Sequence, residues 1–173
     1  KSEAGGVRIN VRNSNEVTQV FEEICSSVRK FDSNAKIEGV GVYEMIEDAV
    51  ELIVGIKRDP VFGPIVLLGS GGIMVEMLKD TVIRVAPISH SDAEEMIEEL
   101  KIYPLLKGAR GRVKSDLDAV ADILTKLSNV TLSTELIAEL EINPLMLLAD
   151  GKGVCVVDAF ISLSDTSDTV TVT

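Results

Sequence analysis

One stretch restricts the fold of this chain more than any other: "ELEINPLMLLADGKGVCVVDAF", residues 139–160. Asp150-Gly151 is a dipeptide of the kind that closes tight hairpins, because both central positions tolerate positive φ. With those two residues at the centre, Ala149 pairs with Lys152. Counting outward sets Asn143 opposite Asp158 and Glu141 opposite Phe160. Side chains alternate across a strand, so Glu141 and Asn143 share one face while Ile142 turns to the other. Directly opposed Cβ atoms lie about 4.5–5.5 Å apart. The register therefore gathers Glu141, Asn143 and Asp158 in one small area, and oxygen ligands are what Mg2+ prefers. A hairpin whose polar face simply meets solvent is the alternative.

Strand and helix patterns alternate through the remainder. "GVRINVR" (residues 6–12) sets Val7, Ile9 and Val11 against Arg8, Asn10 and Arg12, which predicts a half-exposed strand. Asn13-Ser14-Asn15 supplies cap chemistry for a helix with Val17, Val20, Phe21, Ile24 and Val28 on one face. Residues 37–45, 50–59, 64–72 and 74–88 read as strands. "SDAEEMIEELKIY" opens a helix with Ser91 and Glu94 as a capping box, and residues 115–130 form another helix with Ser115 as cap. Residues 164–173 have no core pattern and read as a flexible tail. Antiparallel pieces interleaved with helices predict an α+β fold, a mainly antiparallel sheet with helices on its faces.

Composition excludes some functions. A net charge of −11 argues against general nucleic-acid binding, which requires basic surface. Cys25 and Cys155 have no metal-type spacing and read as small buried hydrophobes in a reducing compartment. No leader or membrane-length apolar run is visible, which predicts a soluble, cytoplasmic protein.

Three segments carry a resemblance: "VYEMIEDAVELIVGIKRDPVFGPIVLLGSGGIMVEMLKD", "RVAPISHSDAEEMIEELKIYPLLKGARG", and "ELEINPL" followed by "VVDA". Together they resemble, in order and over residues 1–163, the ATP-grasp portion of ADP-forming acyl-CoA (acetyl-CoA) synthetase β subunits, relatives of the succinyl-CoA synthetase β subunit. The resemblance implies an ATP-grasp fold and an acid-thiol ligase. Such an enzyme interconverts acyl-CoA, ADP and phosphate with acid, CoA and ATP through a phosphohistidine. It implies ATP/ADP and Mg2+ as cofactors and a CoA-binding Rossmann-type subunit or domain as partner. Residues 1–42 would be the remainder of an incomplete lid lobe and residues 43–163 the C-terminal lobe. The family pattern sets its phosphate-accepting histidine immediately before "KSEAGG" and a lid lysine further upstream, so these 173 residues alone would be inactive. A catalytically silent or regulatory ATP-grasp-like domain of an acetyltransferase, or a scaffold subunit for a CoA-binding partner, are the alternatives.

The resemblance also distributes roles. Asn143 and Asp158 would be metal ligands, and Glu141 would face the phosphoryl-transfer region. Tyr43, Glu44, Met45 and Ile46 would form the hinge whose backbone meets the adenine edge, with Glu44 or Glu51 reaching the ribose hydroxyls. Arg58 would be the phosphate-side cation, and "GSGG" (69–72) either a phosphate cradle or a plain turn. Glu76 and Arg84 are each a cleft residue or a structural charge. His90, the only histidine, sits at a helix entrance and reads as a capping or exposed residue, not as the phosphate carrier.

Overall fold

The computed structural model describes residues 3–72 and 79–164, and the chain divides into two compact units, Lys1–Glu47 and Asp48–Thr173. The division falls between residues 47 and 48, against the 42/43 expected. The strand pattern at 74–80 including Glu76, and the tail from 165 onward, lie largely or wholly outside the described residues.

Among its described residues the first unit contains one helix, α1 (Ser14–Phe31). Asn13 caps it: its Oδ1 accepts from the Glu16 amide at 3.0 Å, and the Glu16 carboxylate accepts from the Arg12 amide at 2.8 Å. This reciprocal cap satisfies donors that a helix start leaves orphaned. The flanking segments 6–12 and 37–45, expected as strands, carry no ladder, and Val7, Ile9 and Val11 are exposed. Alternation gives a segment a face, but a strand also needs a neighbour for its N–H and C=O groups, and none pairs with either segment among the described residues.

The second unit is a sheet with helices on one face. Its elements are β1 (Val50–Asp59), β2 (Gly63–Ser70), β3 (Thr81–Val85), α2 (His90–Glu99), α3 (Tyr103–Leu106), α4 (Leu117–Ser133), β4 (Ile137–Leu147), β5 (Val154–Val156) and β6 (Ala159–Leu163). Strand order is β3-β2-β1-β4-β5, with β6 continuing the edge beside β4, and every pairing is antiparallel. Leu52, Val54 and Ile56 of β1 and Val66 and Leu68 of β2 point to the helix side. There they meet Met96 of α2 and Val120, Ala121 and Leu124 of α4. Each such buried aliphatic contributes roughly 1.5–3 kcal/mol. No described helix is long and apolar enough to cross a membrane.

Two helix entrances differ from expectation. α2 is capped by Ser89, which forms its box with Asp92 two residues ahead of the Ser91–Glu94 pair. Starting there turns Ala93, Met96 and Ile97 into the core. α4 is capped by Asp116 in place of Ser115: one carboxylate oxygen accepts from the Ala119 amide at 3.2 Å, the other from the Gly153 amide at 2.8 Å. A carboxylate can hold the helix start and the hairpin loop together, where a hydroxyl would reach one of them. At the end of β1, Asp59 accepts from the Phe62 and Val61 amides, which holds its carboxyl below the ordinary carboxylate range.

Candidate functional site

The hairpin forms in the register counted from Asp150-Gly151. The Lys152 amide donates to Ala149 O at 2.9 Å, Gly151 has φ +74°, and Leu145, Ile142 and Glu141 pair with Val156, Ala159 and Phe160. Asn143 N donates to Asp158 O at 3.1 Å, so these two residues stand opposite one another. On the other side of β4, Leu52 pairs with Leu145 and Val54 with Ile142. One residue of β1, Ile53, therefore faces two of β4, Asn143 and Pro144, which is a β-bulge. The bulge resets the alternation: Ile142 is buried, and so are Leu145 and Leu147, an odd step that a regular strand would not allow.

Register then defines the face away from the helices. Glu51, Ile53, Gly55 and Lys57 of β1 lie on it, beside Glu139, Glu141, Asn143 and Met146 of β4 and Asp158 and Phe160 beyond. Glu141 pairs with Gly55, where a Cβ would stand 2.7 Å from Leu140 O, so the strands can approach this closely only with glycine there. Asn143 Nδ2 donates to Glu141 Oε1 at 3.1 Å. That bond directs the amide nitrogen at the carboxylate and leaves Asn143 Oδ1 for another partner. Asp158 Oδ1 accepts from the Ala159 amide at 3.1 Å. Asn143 and Asp158 are exposed and Glu141 is half-buried. An amide oxygen and two carboxylates, open to solvent on one patch, form a donor set that fits a hard divalent cation.

Arg58 is not part of this patch. It shares the parity of Leu52, Val54 and Ile56 and so turns to the helix side. Its Nε donates to Ile137 O at 3.1 Å and its Nη2 to Thr131 O and Thr134 O at 3.0 and 2.6 Å. It ties the end of α4 to the start of β4. Lys57, one residue earlier, is the cation that faces the patch, with Nζ 3.6 Å from Glu139 Oε1. Parity within "VELIVGIKRD" would have told the two apart, but Ile53 makes both faces apolar and hides the period.

Glu51 lies at the start of β1 against the "GSGG" bend. Its carbonyl accepts from the Gly71 amide at 2.7 Å. Gly72, at φ +63°, would place a Cβ 2.6 Å from the Glu51 carboxylate. What approaches those glycines is the Glu51 segment. Two of the bend's amides are also taken, since Ser70 N donates to Asp80 O at 3.0 Å. Tyr43–Ile46 belong to the first unit, where Tyr43, Glu44 and Met45 are exposed and the Tyr43 ring folds back over Gly41. Arg84 pairs with Glu99 of α2 on the helix side. His90, in the first turn of α2, has Nε2 3.2 Å from Asp118 Oδ1 of α4, among the helices. Cys25 and Cys155 are free thiols.

An antiparallel sheet with helices on one face matches the fold of the relatives below, and the chain belongs to the ATP-grasp domain family, whose model matches residues 1–163. Among its relatives is the β subunit of ADP-forming acetate–CoA ligase I from Pyrococcus furiosus. It is 46% identical over 150 residues, which are 87% of this chain and 65% of that subunit. ADP-forming acetate–CoA ligase I from Archaeoglobus fulgidus is 44% identical over 154 residues, 89% of this chain and 22% of that protein. The solved acetyl-coenzyme A synthetase 1 of Ca. Korarchaeum cryptofilum, in complex with coenzyme A and Ca-AMPCP, superposes with a TM-score of 0.85 at 45% identity. That match covers 94% of this chain and 70% of the other. The same synthetase with coenzyme A and Mg-AMPPCP gives 0.79 at 40% identity, again over 94% and 70%. The chain thus spans less than two thirds of the first two relatives.

Proposed function

We propose that this chain is the nucleotide-handling part of an ADP-forming acyl-CoA synthetase. The full reaction converts acyl-CoA, ADP and phosphate to a carboxylic acid, CoA and ATP, with the phosphoryl group carried on a histidine. The observation that carries the reading is the hairpin register that brings Glu141, Asn143 and Asp158 to one exposed patch of the sheet. Relatives in this family bind nucleotide with Mg2+ or Ca2+ and coenzyme A, and a CoA-binding Rossmann-type subunit or domain is the expected partner. Free thiols fit a reducing, cytoplasmic setting.

Asn143 and Asp158 would hold Mg2+ through their side-chain oxygens. Bound there, Mg2+ supplies neutralisation of phosphate charge during transfer. Glu141 orients Asn143 by accepting its amide N–H, and its carboxylate keeps the patch negative. Gly55 lets the Glu141 backbone lie close against β1. Glu44 or Glu51, the latter fixed by the Gly71–Gly72 bend, is assigned to the ribose hydroxyls, and the backbone of Tyr43–Ile46 to the adenine edge, both from their place in the family pattern.

The test is Mg2+-dependent nucleotide binding by calorimetry on this chain, with phosphoenzyme formation from labelled ATP in the assembled enzyme. Asn143→Ala and Asp158→Ala should remove the Mg2+ dependence and the labelling while the circular dichroism stays unchanged. Glu141→Gln should keep nucleotide binding and slow labelling. Normal labelling by the first two variants would overturn the metal assignment. Unfolding of both would make the cluster a structural one.

A further inference from the structure

Residues 101–115 hold Lys101, Lys107, Arg110, Arg112 and Lys114 and no Asp or Glu, in a chain of net charge −11. Within this segment residues 111–114 are exposed, including Val113 at 72%. Gly108 and Gly111 take φ +89° and +80°, and a Cβ on Gly108 would stand 2.7 Å from Arg112 O. The loop is therefore wound tightly on its own base and carries its charge on a compact tip. Lys107 lies over the Tyr103 ring and Lys114 pairs with Asp150. The Arg112 amide donates to Ala109 O at 3.5 Å, while among the described residues the Arg112 guanidinium has no hydrogen-bond or ion-pair partner.

Beside the tip lies a groove of about 490 Å3 between α2 and the start of α4. Glu94, Glu95, Glu98 and Asp118 line it, with Lys114 the single basic residue and Leu117 among its apolar walls. Glu98 accepts from the Tyr103 hydroxyl at 2.8 Å, whereas exposed Glu95 is without a partner among the described residues. A basic tip and an acidic groove adjoin on one surface, and the Arg112 and Glu95 side chains are unpaired among the described residues of one copy.

We infer that this face is self-complementary and takes a second copy of the same chain about a twofold axis. The tip of each copy, Arg112 with Val113, enters the acidic groove of the other. Opposite patches that adjoin are what a twofold interface requires, since one contact then generates its mate. Association driven by such patches is steered and registered by charge and weakens as salt screens it. The site is separate from the polar patch of the sheet, so its test does not depend on the nucleotide reading.

The experiment is sedimentation velocity over a concentration series, at low ionic strength and at about 1 M salt, where the Debye length is about 3 Å. The unaltered chain should form dimers at low salt and monomers at high salt. Arg112→Glu and Glu95→Arg should each weaken the dimer by about tenfold or more in Kd, and the double reversal should restore it. Both residues are exposed and unpaired, so the variants should keep the parent circular dichroism. A chain that stays monomeric at low salt, or dimers indifferent to both reversals, would overturn the proposal. So would a double variant as weak as the singles. A monomer whose Arg112 instead binds tripolyphosphate in calorimetry would reassign the tip to a phosphate-bearing ligand.

Discussion

Helices α1 and α4 are near twins in sequence terms and differ in what they achieve. One has 18 residues and the other 17, and each starts on an Asn or Asp cap. α4 buries Val120, Ala121, Leu124 and Leu127 against the sheet. α1 buries Ile24 and Cys25, and its Val17 and Phe21 remain exposed. The apolar stripe is a property of the helix, but the free energy it contributes depends on what lies opposite. Helix α4 faces β1 and β2. The segments on either side of α1 pair with no strand among the described residues.

The difference has a direct measure. Leu124→Ala leaves a cavity under a fully buried side chain and should cost about 3 kcal/mol, within the usual 2–5 for such truncations. Phe21→Ala, on the exposed stripe of α1, should cost less than about 1 kcal/mol in the same denaturant titration. Equal losses would mean that α1 is packed as firmly as α4, and the comparison would fail.

Arg58 extends the contrast to polar groups. It holds α4 to β4 through three carbonyls, so Arg58→Ala should cost about 2 kcal/mol, comparable to losing hydrogen bonds from a charged donor. Arg58→Lys should recover little of that, because one ammonium cannot span carbonyls that a planar guanidinium reaches. Nucleotide affinity in either variant should change only as far as the folded fraction does. A specific loss of affinity with stability intact would return Arg58 to the phosphate.

Different parts of the structure were legible to different depths. The hairpin register could be counted because a turn dipeptide and a period of two are both local, and the polar patch followed from the count. The bulge at Asn143-Pro144 was marked by a proline that offers no N–H to a central strand, a signal that requires knowing β4 is central. The sequence cannot assign Arg58 and Lys57 to faces, because Ile53 makes the strand apolar on both. The segments around α1 failed on a different count, since pairing is a relation between segments and alternation describes only one of them. The α4 entrance differs because Asp116 also accepts from Gly153 of the hairpin loop, information that a local cap pattern does not contain. At α2 two local boxes compete, and Ser89 with Asp92 forms in place of Ser91 with Glu94.

Asn143 is the opposite case to Arg58. It is exposed, and among the described residues its side chain bonds only to Glu141, so Asn143→Ala should change stability by no more than about 0.5 kcal/mol. A patch kept for chemistry can lose activity without losing the fold. A large stability loss here would place the cluster with Arg58, among the structural ties.

The smallest effect expected is at the start of α2. Asp92 accepts from the Ser89 amide at 2.7 Å and from the Ser89 hydroxyl at 2.7 Å, and these bonds hold its carboxyl below the ordinary value, with Arg84 adding a weaker pull. A group depressed by folding binds its proton more weakly in the folded chain than in the unfolded one. Its contribution is therefore present above the unfolded value and disappears as pH falls through the folded one, in the acid range below the ordinary carboxylate pKa. Ser89→Ala removes the hydroxyl bond but keeps the amide bond, so the Asp92 carboxyl should move part of the way back up. Carboxyl titration followed by NMR would show this as a partial upward shift, with fraying of α2 beginning at a higher pH than in the parent. An unchanged Asp92 titration in Ser89→Ala would mean the Ser89 hydroxyl has no part in the depression, leaving it to the Ser89 amide and the Arg84 charge.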